Sequence, residues 1–318
     1  MRSYLFFLPL LATAILSAAP CLAHDYLDHD HGDDIIPAAI EQNRVKITHE
    51  GDYLLIEGNG IPNHTTGQFP NRNNPNSISE QNYHYRVPAH PQISGQDTQM
   101  QMQPFGIALN GIPFDPATAE CYDQHRGPRN QDGGRPPPPR DLSDCQWKEE
   151  AIVNGEGKLG LDSSNAHVQP NGAYHYHGIP TGLLTMLLRE KGMESEDGLV
   201  MVGYAADGFK MYVSPDESLK PSYRLKSGTR PSGEKSPGGA YDGTYTQDFE
   251  YVAGSGDLDE CNGRMIDGAY GYVLTRSFPF IPRCWKGAPD ASFGRHAQGG
   301  RQGRPHGPGR DGLPPPPF

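Results

Sequence analysis

Short apolar runs, alternating with polar residues and broken every few positions by glycine or proline, dominate this chain. Val45-Lys46-Ile47-Thr48 and Tyr53 to Glu57 flank Glu50-Gly51-Asp52 and read as a β-hairpin. Asn110-Gly111 and Asp207-Gly208 mark two more, because both dipeptides tolerate the positive φ that tight turns between strands demand. The strictest alternation is Tyr174-His175-Tyr176-His177. Side chains on a strand repeat every two residues, so the two histidines share one face and the two tyrosines the other. One face is then free to pack and the other to bind. A helical pattern occurs at Leu183 to Lys191, where Leu183, Leu184, Met186, Leu187 and Leu188 form a broad apolar face and Gly192 supplies a stop. With 39 glycines and 31 prolines the chain has little room for long helices. The expected fold is mainly β: a compact sandwich-like or irregular antiparallel sheet domain with one short helix.

The alternation recurs. Asn82-Tyr83-His84-Tyr85-Arg86 precedes Phe105 to Gly111 as Ala173 to His177 precedes Val202 to Gly208, which reads as an internal repeat. A third stretch, Ala269-Tyr270-Gly271-Tyr272-Val273, keeps both tyrosines and has glycine where the first histidine would stand. Tyrosines at these positions therefore serve the fold, and histidines a local purpose. On that basis Tyr174 and Tyr176 are expected to be more buried than His175 and His177.

The first residues carry the marks of a secretory signal: Arg2, an apolar run from Leu5 to Leu16 too short to span a bilayer, and small residues ending at Ala23. Cleavage there makes residues 1–23 a signal peptide and sends the chain to a periplasm or outside the cell, with no integral membrane segment. An acidic stretch rich in His and Asp follows at 24–40, then a folded region at 41–290. A Pro/Gly-rich loop at 126–140 interrupts that region, and a disordered Gly/Pro/Arg-rich tail at 291–318 ends the chain.

Export changes how cysteine is read. Cys21 leaves with the signal, and Cys121, Cys145, Cys261 and Cys284 form an even set in an oxidising compartment, without the two-residue spacing of a zinc knuckle. The expected sequential pairing, Cys121 with Cys145 and Cys261 with Cys284, is one of three arrangements open to four cysteines. Trp147 and Trp285 stand beside or near cysteines, where they belong to the core more readily than to a carbohydrate platform. The formal charge of −11, which becomes −12 on loss of Arg2, argues against nucleic acid and against anionic membrane surfaces. A metal ion or a small ligand of unidentified kind is the expected partner.

Histidines two apart on a strand have Cα atoms about 6.5–7 Å from each other, close enough for both rings to converge on one metal. His167, eight residues before His175, and His84, in the other tyrosine strand, are the candidates for further ligands. An imidazole set suits copper or zinc. The competing reading has the histidines hydrogen-bonded to loop carbonyls and packed beside the tyrosines. After cleavage, His24 with its free amine, His29 and His31 form a second metal-attracting tract. No Gly-x-Ser-x-Gly elbow, His-Glu-x-x-His motif, phosphate loop or Cys-x-x-Cys pair is present, so common enzyme classes lack support.

Tyr174-His175-Tyr176-His177, with Asn165-Ala166-His167, Gly178-Ile179-Pro180, Ala205 to Phe209, Leu258 to Arg264 and Phe278 to Cys284 around it, resembles the YHYH domain family. The resemblance covers roughly residues 80 to 290 and implies an exported protein described by its motif rather than by an activity. A binding protein with a His-x-His metal site is the leading expectation. The alternatives are an enzyme using the same histidines as ligands or as acid and base, and a structural envelope or matrix component.

Overall fold

A computed structural model describes residues 42–122, 145–190, 194–233 and 235–294. Residues 1–23, expected from the sequence to be a signal peptide, the acidic stretch with His24, His29 and His31, the loop at 126–140 and the tail beyond Gly294 lie outside the described residues.

The strands that build the core and the site are β1 (Val45–Glu50), β2 (Tyr53–Gly58), β3 (Tyr83–Pro88), β4 (Gly106–Ala108), β5 (Pro113–Phe114), β6 (Ala166–Val168) and β7 (Tyr174–Tyr176). Helix α1 (Thr181–Leu187) follows, and then β8 (Val200–Ala205), β9 (Lys210–Val213), β10 (Gly263–Ile266) and β11 (Ala269–Leu274). The fold is mainly β, as its alternating pattern predicts. β1, β2 and β3 form one antiparallel sheet. The other eight strands form a second sheet in the order β10-β11-β9-β8-β4-β5-β7-β6. That sheet is mixed, because β5 runs parallel to β7 and β9 parallel to β11. The three expected hairpins all form. Gly51, Gly111 and Gly208 supply the positive φ at their turns, at 58°, 78° and 90°.

The order of the large sheet reads the same from both ends. β4 pairs with β8 so that Ile107 faces Tyr204, with Gly106 opposite Ala205 and Ala108 opposite Gly203, which places a local two-fold axis between the two strands. Each half is a hairpin (β4-β5 or β8-β9), a parallel tyrosine strand (β7 or β11) and an edge strand (β6 or β10). Details match as well. Tyr174 donates its hydroxyl proton to Asp162 as Tyr270 does to Asp259, and the His177 N–H meets the Asn165 carbonyl as Val273 meets Asn262. Asn165 and Asn262 both sit at φ 54°. The hairpin tips repeat too, with Asn110 bonded to the Tyr176 hydroxyl and Asp207 to that of Tyr272.

This duplication corrects the sequence reading of the repeat. The two hairpins are equivalent, but the partner of the Tyr174 strand is β11, the stretch with no histidine. β3 stands in the other sheet, paired antiparallel to β2. In each half the tyrosine strand follows the hairpin and joins it through a long parallel crossover, a connection that local pattern does not reveal.

α1 begins and ends earlier than its apolar pattern predicts. Its start follows Pro180, and Leu183, Leu184 and Leu187 are buried while Leu188, just past its end, is 43% exposed. Both tryptophans are core residues: Trp285 stacks on Phe105 at 5.2 Å, and Trp147 meets Tyr245 edge-on. The packed chain also runs into the segment assigned to the tail, because Phe293 is fully buried and stacks on Tyr85 at 4.4 Å. No helix among the described residues is long and apolar enough to cross a membrane.

The disulfides pair sequentially, Cys121 with Cys145 and Cys261 with Cys284. With sequence separations of 24 and 23, each closes a loop worth about 3 kcal/mol on loop-entropy grounds. Peptide mapping of the non-reduced protein should recover these two linked pairs. A crossed linkage, or alkylation of any of the four without reduction, would show the pairing to be wrong.

Candidate metal centre

Asp162 shapes the turn that feeds β6. Its Oδ1 accepts the N–H groups of Ser164 and Ala166 at 2.9 and 3.2 Å, while Oδ2 accepts Gly67 N–H at 3.1 Å and the Tyr174 hydroxyl at 2.6 Å. Enclosure among these donors pushes the carboxyl up to about 6, because desolvation outweighs the hydrogen bonds that favour its charged form. β6 then runs antiparallel to β7 with His167 directly opposite His175. Cross-strand neighbours share a face, and so do residues two apart, so His167, His175 and His177 project to the same side.

Their Nε2 atoms converge. His177 Nε2 lies 3.0 Å from His175 Nε2 and 3.1 Å from His167 Nε2, and all three ligand atoms fall within 4.8 Å of one another. The other ring nitrogens fix the tautomers. His167 Nδ1 donates to the Leu159 carbonyl at 2.9 Å and His175 Nδ1 to the Ala173 carbonyl at 3.1 Å. A carbonyl only accepts, so both Nε2 atoms must carry lone pairs. Backbone-tethered Nδ1–H groups are also what orients metal-binding histidines. His177 Nδ1 is buried without a hydrogen-bond partner.

The protons do not suffice for this cluster. If His177 carries its proton on Nε2, two acceptors must share that single hydrogen, and the buried Nδ1 lone pair goes unmet. If the proton is on Nδ1, three lone pairs point at one another and a buried N–H goes unmet. An extra proton does not resolve the conflict. Burial holds His167 down at about 3 and His175 at about 4, and it holds His177 well below the usual imidazole range; neighbouring imidazoles add to the effect at His167 and His177. A metal ion such as zinc or copper would accept all three lone pairs at once, with His177 in its Nδ1–H tautomer.

Both faces of β7 are buried. Tyr174 and Tyr176 are 0% exposed and His175 and His177 3%, so the expected contrast between a packed face and an open one shrinks to a few per cent. The tyrosine face is satisfied: the Tyr176 hydroxyl donates to His64 Nε2 at 2.6 Å and accepts from Asn110 Nδ2 at 2.9 Å. His167 alone of the three histidines is not fully buried.

The structure gathers His167, His175 and His177 and leaves His84 out. His84 is exposed on β3, within reach of Glu57 and Asn82, because its strand belongs to the other sheet. A second ligand-like group, Asp97 with Cys261 and Cys284, is disqualified by the disulfide that engages both sulfurs. Sequence reasoning missed Asp162 and the Leu159 carbonyl. The signal for Asp162 was present in Asp162-x-x-Asn165 and Asp259-x-x-Asn262, each preceding a tyrosine strand.

The second half of the large sheet acts as an internal control. Arg264, Gly271 and Val273 occupy the positions of His167, His175 and His177. A Cβ on Gly271 would meet the Tyr212 ring at 2.9 Å, so an aromatic ring covers the ground where an imidazole stands in the first half. The same strand pair therefore folds without any histidine.

The model of the family described as YHYH protein matches residues 84–287. The chain belongs to the YHYH family. The match spans both halves of the large sheet and both tyrosine strands, so the internal control lies within this YHYH domain. No curated protein and no solved structure gives a significant match to the chain.

Proposed function

We propose that this YHYH protein is an exported metal-binding protein that holds one copper or zinc ion on His167, His175 and His177. The observation that carries the reading is the hydrogen-bond inventory: three Nε2 atoms, two of them on buried histidines, converge with at most one hydrogen among them. The histidine-free second half supports it, since the scaffold folds there with Arg264, Gly271 and Val273 in the same places. A metal-dependent enzyme is the second reading. It is favoured by the ligand count, because three protein donors leave a coordination position for an outside molecule.

Calorimetry on the mature chain, with zinc and with copper, tests the proposal. One equivalent of tight binding should survive deletion of residues 24–34 and disappear in the double variant His175→Ala/His177→Ala. Binding that survives the double substitution but is lost with the deletion would move the function to the acidic tract.

A further inference from the structure

We infer that this site selects monovalent copper over zinc and over divalent copper, an inference that rests on the three-histidine reading above. The donors are three neutral imidazoles. Among the described residues no carboxylate or thiolate joins them, and the two sulfurs of the only other ligand-like group are oxidised. An ion entering such a set keeps its whole charge. The cost of desolvating an ion rises with the square of its charge, so a dication is opposed about four times as strongly as a monocation of similar size.

Coordination number points the same way. Zinc in proteins is almost always four-coordinate and draws a water where the protein offers three ligands. Here His175 and His177 are 3% exposed and His167 is half-buried, so the surroundings of the group are largely closed to water. Monovalent copper is stable with three nitrogen donors and requires no fourth. The flanking charges do not restore a preference for a dication. The half-buried Glu120 acts on His167, whereas Arg283 acts on His177 with the opposite sign. Arg283 is itself held by Glu150 at 2.7 Å, so neither sign prevails around the ligands.

The experiment is a competition on the full mature chain under anaerobic conditions. Copper(I), kept reduced with ascorbate, is partitioned between the protein and bathocuproine disulfonate, and zinc between the protein and a chromophoric zinc chelator. One equivalent of copper(I) should bind at least a hundredfold more tightly than zinc. His175→Ala should weaken copper(I) binding at least a hundredfold, while deletion of residues 24–34 should not. His175→Gly, which installs the residue of the equivalent strand, serves as the second variant should the alanine form fail to fold. A hundredfold preference over copper(II) would raise the one-electron copper couple by about 120 mV, readable by voltammetry of the loaded protein. Zinc binding as tightly as copper(I), or an unshifted couple, overturns the selectivity and leaves the three-histidine site standing. Absence of histidine-dependent binding of either metal removes the site and the selectivity together.

Discussion

His177→Val is expected to leave the metal-free protein at least as stable as the parent and to erase its stabilisation by metal. Val273 fills the matching position in the second half at 0% exposure, so the strand pair accepts valine there. The substitution also removes a buried Nδ1 with no partner and two nitrogen contacts that have at most one hydrogen between them. Relieving one such group is worth about 1–3 kcal/mol, offset in part by the smaller side chain. With metal present the order reverses. At a free concentration a thousand times the Kd, binding stabilises the parent by about 4 kcal/mol, or about 10 °C in a domain of this size. Thermal melts with and without zinc or copper should show that shift in the parent and none in the variant. A variant that keeps the shift would place the ion elsewhere, and one that melts far lower without metal would make His177 a packing residue.

Asp162→Ala should destabilise the protein by on the order of 4 kcal/mol, because it leaves three backbone N–H groups and the Tyr174 hydroxyl without their acceptor. The matching change Asp259→Ala should cost less, since Asp259 accepts from Gly263 and Tyr270 and is 34% exposed. The pH dependence has a definite sign. Burial raises the Asp162 carboxyl from 3.8 to about 6, so its stabilising contribution is full below 3.8 and declines as pH rises through 6. The gap between parent and Asp162→Ala should therefore be larger at pH 4 than at pH 7.5, by on the order of 2 kcal/mol after allowing for the residue's partial exposure. The triad's own titration, which removes stability as pH falls below 6.5, is common to both proteins and cancels in the difference. Denaturant unfolding at the two pH values measures the gap. A gap that widens with pH would mean the carboxylate is stabilised, not penalised, by its surroundings.

The local chemistry of this chain was legible. Period-two alternation marked β3, β7 and β11, the Asn-Gly and Asp-Gly dipeptides marked the β4-β5 and β8-β9 hairpins, and the even set of four cysteines after Cys21 marked the disulfides. His167, His175 and His177 were legible as donors, since spacing on strands is a local property. What decides the site is not local. His84 reads in sequence much like His175, yet β3 pairs with β2 and β7 with β6, and only the second pairing sets another histidine directly across the strand. Parallel partners reached through long crossovers leave no periodic trace, which is why a tyrosine strand was matched to the hairpin after it rather than the one before. Burial of the histidines was hidden for a related reason. A polar residue on an alternating strand reads as facing water, yet His175 and His177 are both buried in the fold.

The axis between Ile107 and Tyr204 carries a further implication. Strands related by a dyad present the same sequence of donors and acceptors to each other, so the edge that β4 offers to β8 is as complementary to a second β4 as to the strand it meets. A first half expressed alone would thus be equipped to zip onto its twin along Gly106-Ile107-Ala108. The product would be a continuous sheet with a histidine triad on each side of the seam, where the described residues hold one.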